Sequence, residues 1–123
     1  MVVNGRTWPV LQVEPRRYRF RFLNGCNSRF LILKLVADPL TRRPVRPAVP
    51  FWQIGTDGGF LPARVRVDQL LLGLAERADV VVDFTGLRVG TELYLVNEGP
   101  DEPFGGGEPG RSSRRRTQVP PAR

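Results

Sequence analysis

At 123 residues the chain suits one domain, long enough to bury a core without a metal or a disulfide network. An apolar share of 41% with 13 Gly and 12 Pro favours many short strands over long helices, and the single cysteine, Cys26, excludes an internal disulfide. Of the net charge of +7, five units come from the arginines of residues 111–123, which leaves +2 for residues 1–110 and makes most of the excess a tail property.

In chain order, Met1 to Arg6 lacks the basic and then apolar build of a signal peptide, and no apolar run approaches the ~18 residues of a membrane span. Asn4-Gly5 is a strong turn signal, and Trp8 is expected to pack at a sheet edge. Val10, Gln12 and Glu14 alternate with Leu11 and Val13, which predicts a short strand ending at Pro15.

Tyr18-Arg19-Phe20-Arg21-Phe22 follows with strict period-two alternation. Its rings fall on one face, and Arg17, Arg19 and Arg21 fall on the other. That is the pattern of a strand with one face on a core and one in water. Asn24-Gly25 and Asn27-Ser28 are turn formers, and Phe30 to Leu35 is apolar on both faces apart from Lys34, as in a sandwich strand. Pro39, Pro44, Pro47 and Pro50 make residues 38–50 a surface loop, because proline interrupts both helix and ladder.

Phe51 to Gly55 is the next strand, turned by Thr56-Asp57-Gly58-Gly59, and Phe60-Leu61-Pro62 leads into Val65-Arg66-Val67 and then Leu70-Leu71-Leu72. Val80 to Phe84 is β-branched and reads as a buried strand, and Leu93 to Asn97 alternates as the last visible one. From Gly99 the character changes. Residues 105–123 are Gly, Arg, Ser and Pro with almost nothing apolar, and are expected to be disordered.

Taken together and in order, several stretches resemble the middle cupredoxin-like (plastocyanin-like) domain of three-domain multicopper oxidases, the group of spore-coat laccases, bilirubin oxidases and phenoxazinone synthases. They are Val3-Asn4-Gly5-Arg6-Thr7-Trp8-Pro9, Val13-Glu14-Pro15-Arg16-Arg17-Tyr18-Arg19-Phe20-Arg21 and Leu23-Asn24-Gly25-Cys26-Asn27-Ser28-Arg29. Gln53-Ile54-Gly55-Thr56-Asp57-Gly58-Gly59 and Ala75-Glu76-Arg77-Ala78-Asp79-Val80-Val81-Val82-Asp83-Phe84 complete the set. Each is weak alone, and their order is specific.

The resemblance implies an all-β, Greek-key sandwich over residues 1–104, placed as domain 2 between the first and third cupredoxin domains. It implies a parent enzyme that oxidises phenolic or similar substrates with copper and reduces dioxygen to water. In that family the copper ligands lie in the outer domains, largely as His-x-His and His-Cys-His segments. This chain contains no histidine, so no catalytic, cofactor-binding or metal residue is carried over and the isolated chain is not expected to be catalytic. Its implied role is to bridge the copper-bearing domains and shape the substrate side.

Two departures stand out. Leu74 occupies a position where the family usually has Pro, which predicts a looser turn. Arg111 to Thr117 stands where the family places its final strand, so the sandwich is expected to lack that strand and residues 105–123 to be out of frame.

Individual residues have bland readings. Cys26 reads as a small turn residue, Asp57-Gly58-Gly59 as an Asx turn with glycines supplying positive φ, and Trp8, Trp52 and the phenylalanines as core. Glu76, Arg77 and Asp79 read as a local ion pair fixing the start of strand 80–84. Arg17, Arg19 and Arg21 read as partners for acids of a neighbouring domain. The competing function is a small basic β-module that binds nucleic acid or another protein, although the arginine excess over one lysine fits a GC-rich genome better than a binding face.

Overall fold

The computed structural model describes residues 2–100. The tail expected to be disordered, and the site of the expected missing strand, lie outside the described residues. Those that are described form nine strands and no helix. Two short strands, β1 (Val2–Val3) and β2 (Arg6–Thr7), pair antiparallel. Asn4 and Gly5 between them both take positive φ (50° and 77°), the two-residue turn that Asn-Gly favours.

The body is two antiparallel sheets. One has the order β3 (Arg17–Leu23), β8 (Arg77–Asp83), β5 (Phe51–Thr56), β6 (Gly59–Val67); the other is β7 (Leu70–Leu72), β4 (Leu31–Val36), β9 (Tyr94–Asn97). Neighbours in sequence, β3 and β4 therefore belong to different sheets. Between the sheets lies one core of Leu33, Leu35, Val49, Phe51, Leu70, Leu72, Ala78, Val80, Val82 and Phe84. Tyr18, Phe20 and Phe22 close its side, with the Phe22 and Phe51 rings edge to face at 6.2 Å.

The strand alternation of residues 17–23 is realised in full: aromatics half-buried, arginines exposed. Residues 8–14 depart from expectation. They form no strand, Trp8 takes a positive φ of 51°, and its ring is 78% exposed rather than packed at an edge. Val10 and Leu11 are exposed as well, so alternation there found no sheet to serve. Residues 59–67 form one strand, not a lead-in and a strand, because a register shift at Gln53/Gly55 lets β6 continue past Pro62. The Leu74 turn is closed, not loose: the Ala75 N–H donates to the Asn24 carbonyl (3.0 Å) and the Glu76 N–H to that of Gly73 (3.2 Å).

Where the chain leaves β3, Asn24 is buried and saturated. Its Nδ2 donates to the carbonyls of Arg29 (2.8 Å) and Leu72 (3.1 Å), and its Oδ1 accepts the Cys26 N–H (3.0 Å). Its own N–H donates to the Glu76 carbonyl at 3.0 Å. One residue thus ties the end of β3 to β7 and the approach to β4 through its side chain, and to the approach to β8 through its main chain.

The loop at 38–50 is a covering, not only a surface excursion. On β4, Leu33 and Leu35 face the main core, while Lys34 and Val36 face the opposite side of the sheet. Val45 of the loop packs there with Val36 and Val96 as a second small core. Lys34 (8% exposed) and Glu98 (1%) are buried beside it. Glu98 Oε2 meets Lys34 Nζ at 2.6 Å, and its Oε1 accepts from Arg43 Nη1 (3.1 Å) and the Val45 N–H (2.7 Å). Burial alone pushes the Glu98 carboxyl up, but these donors outweigh it and hold the carboxyl below its usual range.

Glu98→Ala leaves the Lys34 ammonium buried without its counter-ion and is expected to cost roughly 3–5 kcal/mol. Asn24→Ala, which removes the donor to the buried Leu72 carbonyl and the part-buried Arg29 carbonyl, is expected to cost on the order of 2–4 kcal/mol. Urea unfolding of each variant against wild type reads both directly, and a change below 1 kcal/mol would show that the site relaxes or hydrates.

Candidate functional site

The outer face of the four-stranded sheet carries the densest chemistry of the described residues. Alternation places Arg17, Arg19, Arg21 and Leu23 there from β3, and Arg77, Asp79, Val81 and Asp83 from β8. The antiparallel register sets Arg17 opposite Asp83 and Arg21 opposite Asp79. Arg17 Nε lies 2.7 Å from Asp83 Oδ2. Arg19 instead reaches diagonally to Asp79, with Nε to Oδ1 at 2.8 Å and a second contact from Nη2 to Oδ2. This is the two-pronged geometry for which a guanidinium is built.

These contacts correct two expectations. Arg17 and Arg19 are matched by this chain's own acids, not held in reserve for a neighbour. Arg77 and Asp79 share the outer face but do not pair with each other either, because Arg77 is taken by Asp57 and Asp79 by Arg19. Arg77 reaches the β5–β6 turn, with Nε 2.7 Å from Asp57 Oδ1, and its N–H donates to the same oxygen (3.1 Å). Glu76 turns back and accepts the Gly73 N–H. Asp57 thus serves as an anchor for β8, not as an Asx turn, while Gly59 supplies the left-handed φ of 122°.

Aromatic rings complete the face. Because Gly55 has no side chain, Phe60 opposite it lies flat on the sheet, 73% exposed, with the Arg19 guanidinium 5.2 Å from its centroid. Trp52 is likewise outward, not in the core, and carries the Arg64 guanidinium at 4.9 Å. Between Arg21, Thr56, Asp57, Arg77 and Asp79 lies an open hollow of about 310 Å³. Sequence alternation foretold the arginine row; the place of Phe60 opposite Gly55 depends on the register shift in β5, which leaves no local signal.

Hydrogen bonds from Thr85 and from arginines set the titration of the aspartates. The Asp83 carboxyl is lowered to about 2, first by the Thr85 hydroxyl, then by Arg17 and the Thr85 N–H. Arg19 lowers Asp79, and Arg77 lowers Asp57.

Other candidates are quiet. Cys26 is half-buried in the turn after Asn24. Among the described residues, no three of Cys, Asp and Glu come together as a metal-ligand set, and the sequence has no histidine to add.

No established family profile matches the chain. Individual relatives do. It is 41% identical over 97 residues to a laccase of Bacillus subtilis, covering 79% of this chain and 17% of the laccase. It is 40% identical over 98 residues to a bilirubin oxidase of Albifimbria verrucaria, covering 79% and 16%. Among solved structures, a laccase from Pediococcus acidilactici superposes with a TM-score of 0.64 at 39% identity, over 77% of this chain and 18% of that one. The McoA multicopper oxidase of Aquifex aeolicus superposes at 0.59 with 38% identity, over 69% and 17%. The chain therefore spans about a sixth of the length of the proteins it resembles.

A carboxylate whose folded pKa is depressed adds stability above the unfolded value of ~3.9 and loses it as pH falls through the folded value. Asp83→Asn is therefore expected to lower the urea midpoint at pH 7 while the two proteins converge as pH falls from about 4 towards about 2. A constant gap between their midpoints across that range would refute the ionic origin.

Proposed function

On the premise that the chain is a partial, cupredoxin-like domain of the laccase-like multicopper oxidases, we propose that it is the middle domain of such an enzyme. In this reading it bridges two copper-bearing domains and helps wall the substrate side of the site. The parent enzyme oxidises phenolic or similar substrates and reduces dioxygen to water. The observation that carries the proposal is coverage: relatives about 40% identical match this chain along most of its length, yet the match fills only a sixth of theirs.

The residues of this chain do not fit a copper centre. Copper oxidases of this kind need imidazoles, and the sequence has none. Cys26 stands alone in a turn, and no acidic cluster among the described residues substitutes for a ligand set. The chain's contribution is accordingly structural. Its two packed sheets offer rigid outer faces, and its ion pairs hold the loops at their ends. The competing reading, a free-standing basic module for nucleic acid or another protein, finds no support in the relatives. The aspartates among Arg17, Arg19 and Arg77 also oppose a polyphosphate.

Titration of the purified chain with Cu(I) and Cu(II) is expected to give no stoichiometric uptake and no intense visible absorption. Tight binding of one copper per chain would overturn the assignment of a purely structural role.

A further inference from the structure

Four of the six arginines on the outer face of the large sheet, Arg17, Arg19, Arg66 and Arg77, each hold an aspartate. Arg21 and Arg64 make no ion pair with the described residues. Arg64 nonetheless lies over the Trp52 ring, 4.9 Å from its centroid, an arrangement that leaves guanidinium donors for a group outside the chain. Arg21 borders the open hollow beside Thr56. On the same strand as Arg64, the Phe60 ring carries the Arg19 guanidinium yet stays 73% exposed, offering apolar surface. Stacked arginine, tryptophan and an exposed aromatic on one sheet face are the composition of a protein-binding hot spot.

We propose that this face is where the chain docks on an adjoining domain of the same oxidase, with Arg21 and Arg64 receiving two carboxylates of that domain and Phe60 packing between them. The proposal rests on the middle-domain reading above and specifies which surface does the bridging. Two positive charges in excess call for an acidic partner. The interspersed Asp57, Asp79 and Asp83 make the face a poor match for a nucleic-acid backbone, whose phosphates would meet carboxylates at every step. A protein surface with discrete acids and apolar gaps meets no such conflict. The arginines already paired stiffen the face and spare the partner the entropy of ordering them.

The test begins by translating the gene's flanks. The chain is then produced both alone and joined to them, and Trp52 and Phe60 are footprinted with hydroxyl radicals. Protection of both residues in the joined protein, with Trp8 unchanged, is expected. In parallel, flanking segments are titrated into the isolated chain by calorimetry. Arg21→Glu with Arg64→Glu is expected to weaken binding about thirtyfold or more, with Arg42→Glu, on the far loop, as an unaffected control. Unfolding midpoints of the variants confirm that the fold is kept. Oxidase-like flanks with no protection, or binding insensitive to the paired charge reversals, overturn the docking face and leave the middle-domain reading standing. Unrelated flanks overturn both. Protection of the isolated chain's Trp52 by duplex DNA, lost steeply with salt, overturns the protein partner in favour of nucleic acid.

Discussion

The two sheets meet through the amide of Asn24. A sandwich strand that leaves one sheet and feeds the other must break its ladder, and the broken backbone groups have to be answered away from water. Asn24 answers on several sides at once, giving two N–H bonds to the carbonyls of Arg29 and Leu72 and accepting one from Cys26. Its main chain joins the turn that starts β8. The positive φ of Ala75 (61°) belongs to the same knot, since its N–H must reach the Asn24 carbonyl.

From that knot outward, β3 and β8 divide the labour of the protein. Their inward residues, from Tyr18 to Phe22 and Ala78 to Val82, make the core wall. Their outward residues make a lattice of guanidinium and carboxylate whose register is the register of the strands. A slip by one residue would put arginines in the core and rings in water, so the ionic face and the apolar face enforce the same pairing. On the smaller sheet the loop at 38–50 performs the corresponding service, covering Val36 and Val96 that would otherwise be bare.

The sandwich was legible where one residue's neighbours are its near neighbours in sequence. Alternation over 17–23 and the β-branched run at 80–83 placed two central strands, and Asn4-Gly5 placed a hairpin turn. Reading failed where the answer depends on long-range pairing. Val10 to Val13 alternates just as well and pairs with nothing described. Arg77 finds Asp57 across 20 positions, and Arg19 finds Asp79 across 60. Nothing near Lys34 or Glu98 marks them as a buried pair, since they are 64 positions apart and join only through the sheet and its loop. The placing of Phe60 opposite Gly55 follows from a register shift that composition does not announce, and Trp52 turns outward because Phe51 beside it faces the core. The family resemblance supplied what periodicity could not, because five weak turns and strands in a fixed order constrain a fold that none of them constrains alone.

The burial of Lys34 also governs how the protein meets reagents. It is the chain's one lysine, and its ammonium is enclosed between a carboxylate and a carbonyl oxygen. Acylating agents, aldehydes and amine-directed cross-linkers need an accessible amine, and here the ammonium is engaged by Glu98 while the loop bars approach. A protein rich in positive charge would pass through amine chemistry almost unmarked, its cationic surface being built of guanidinium alone.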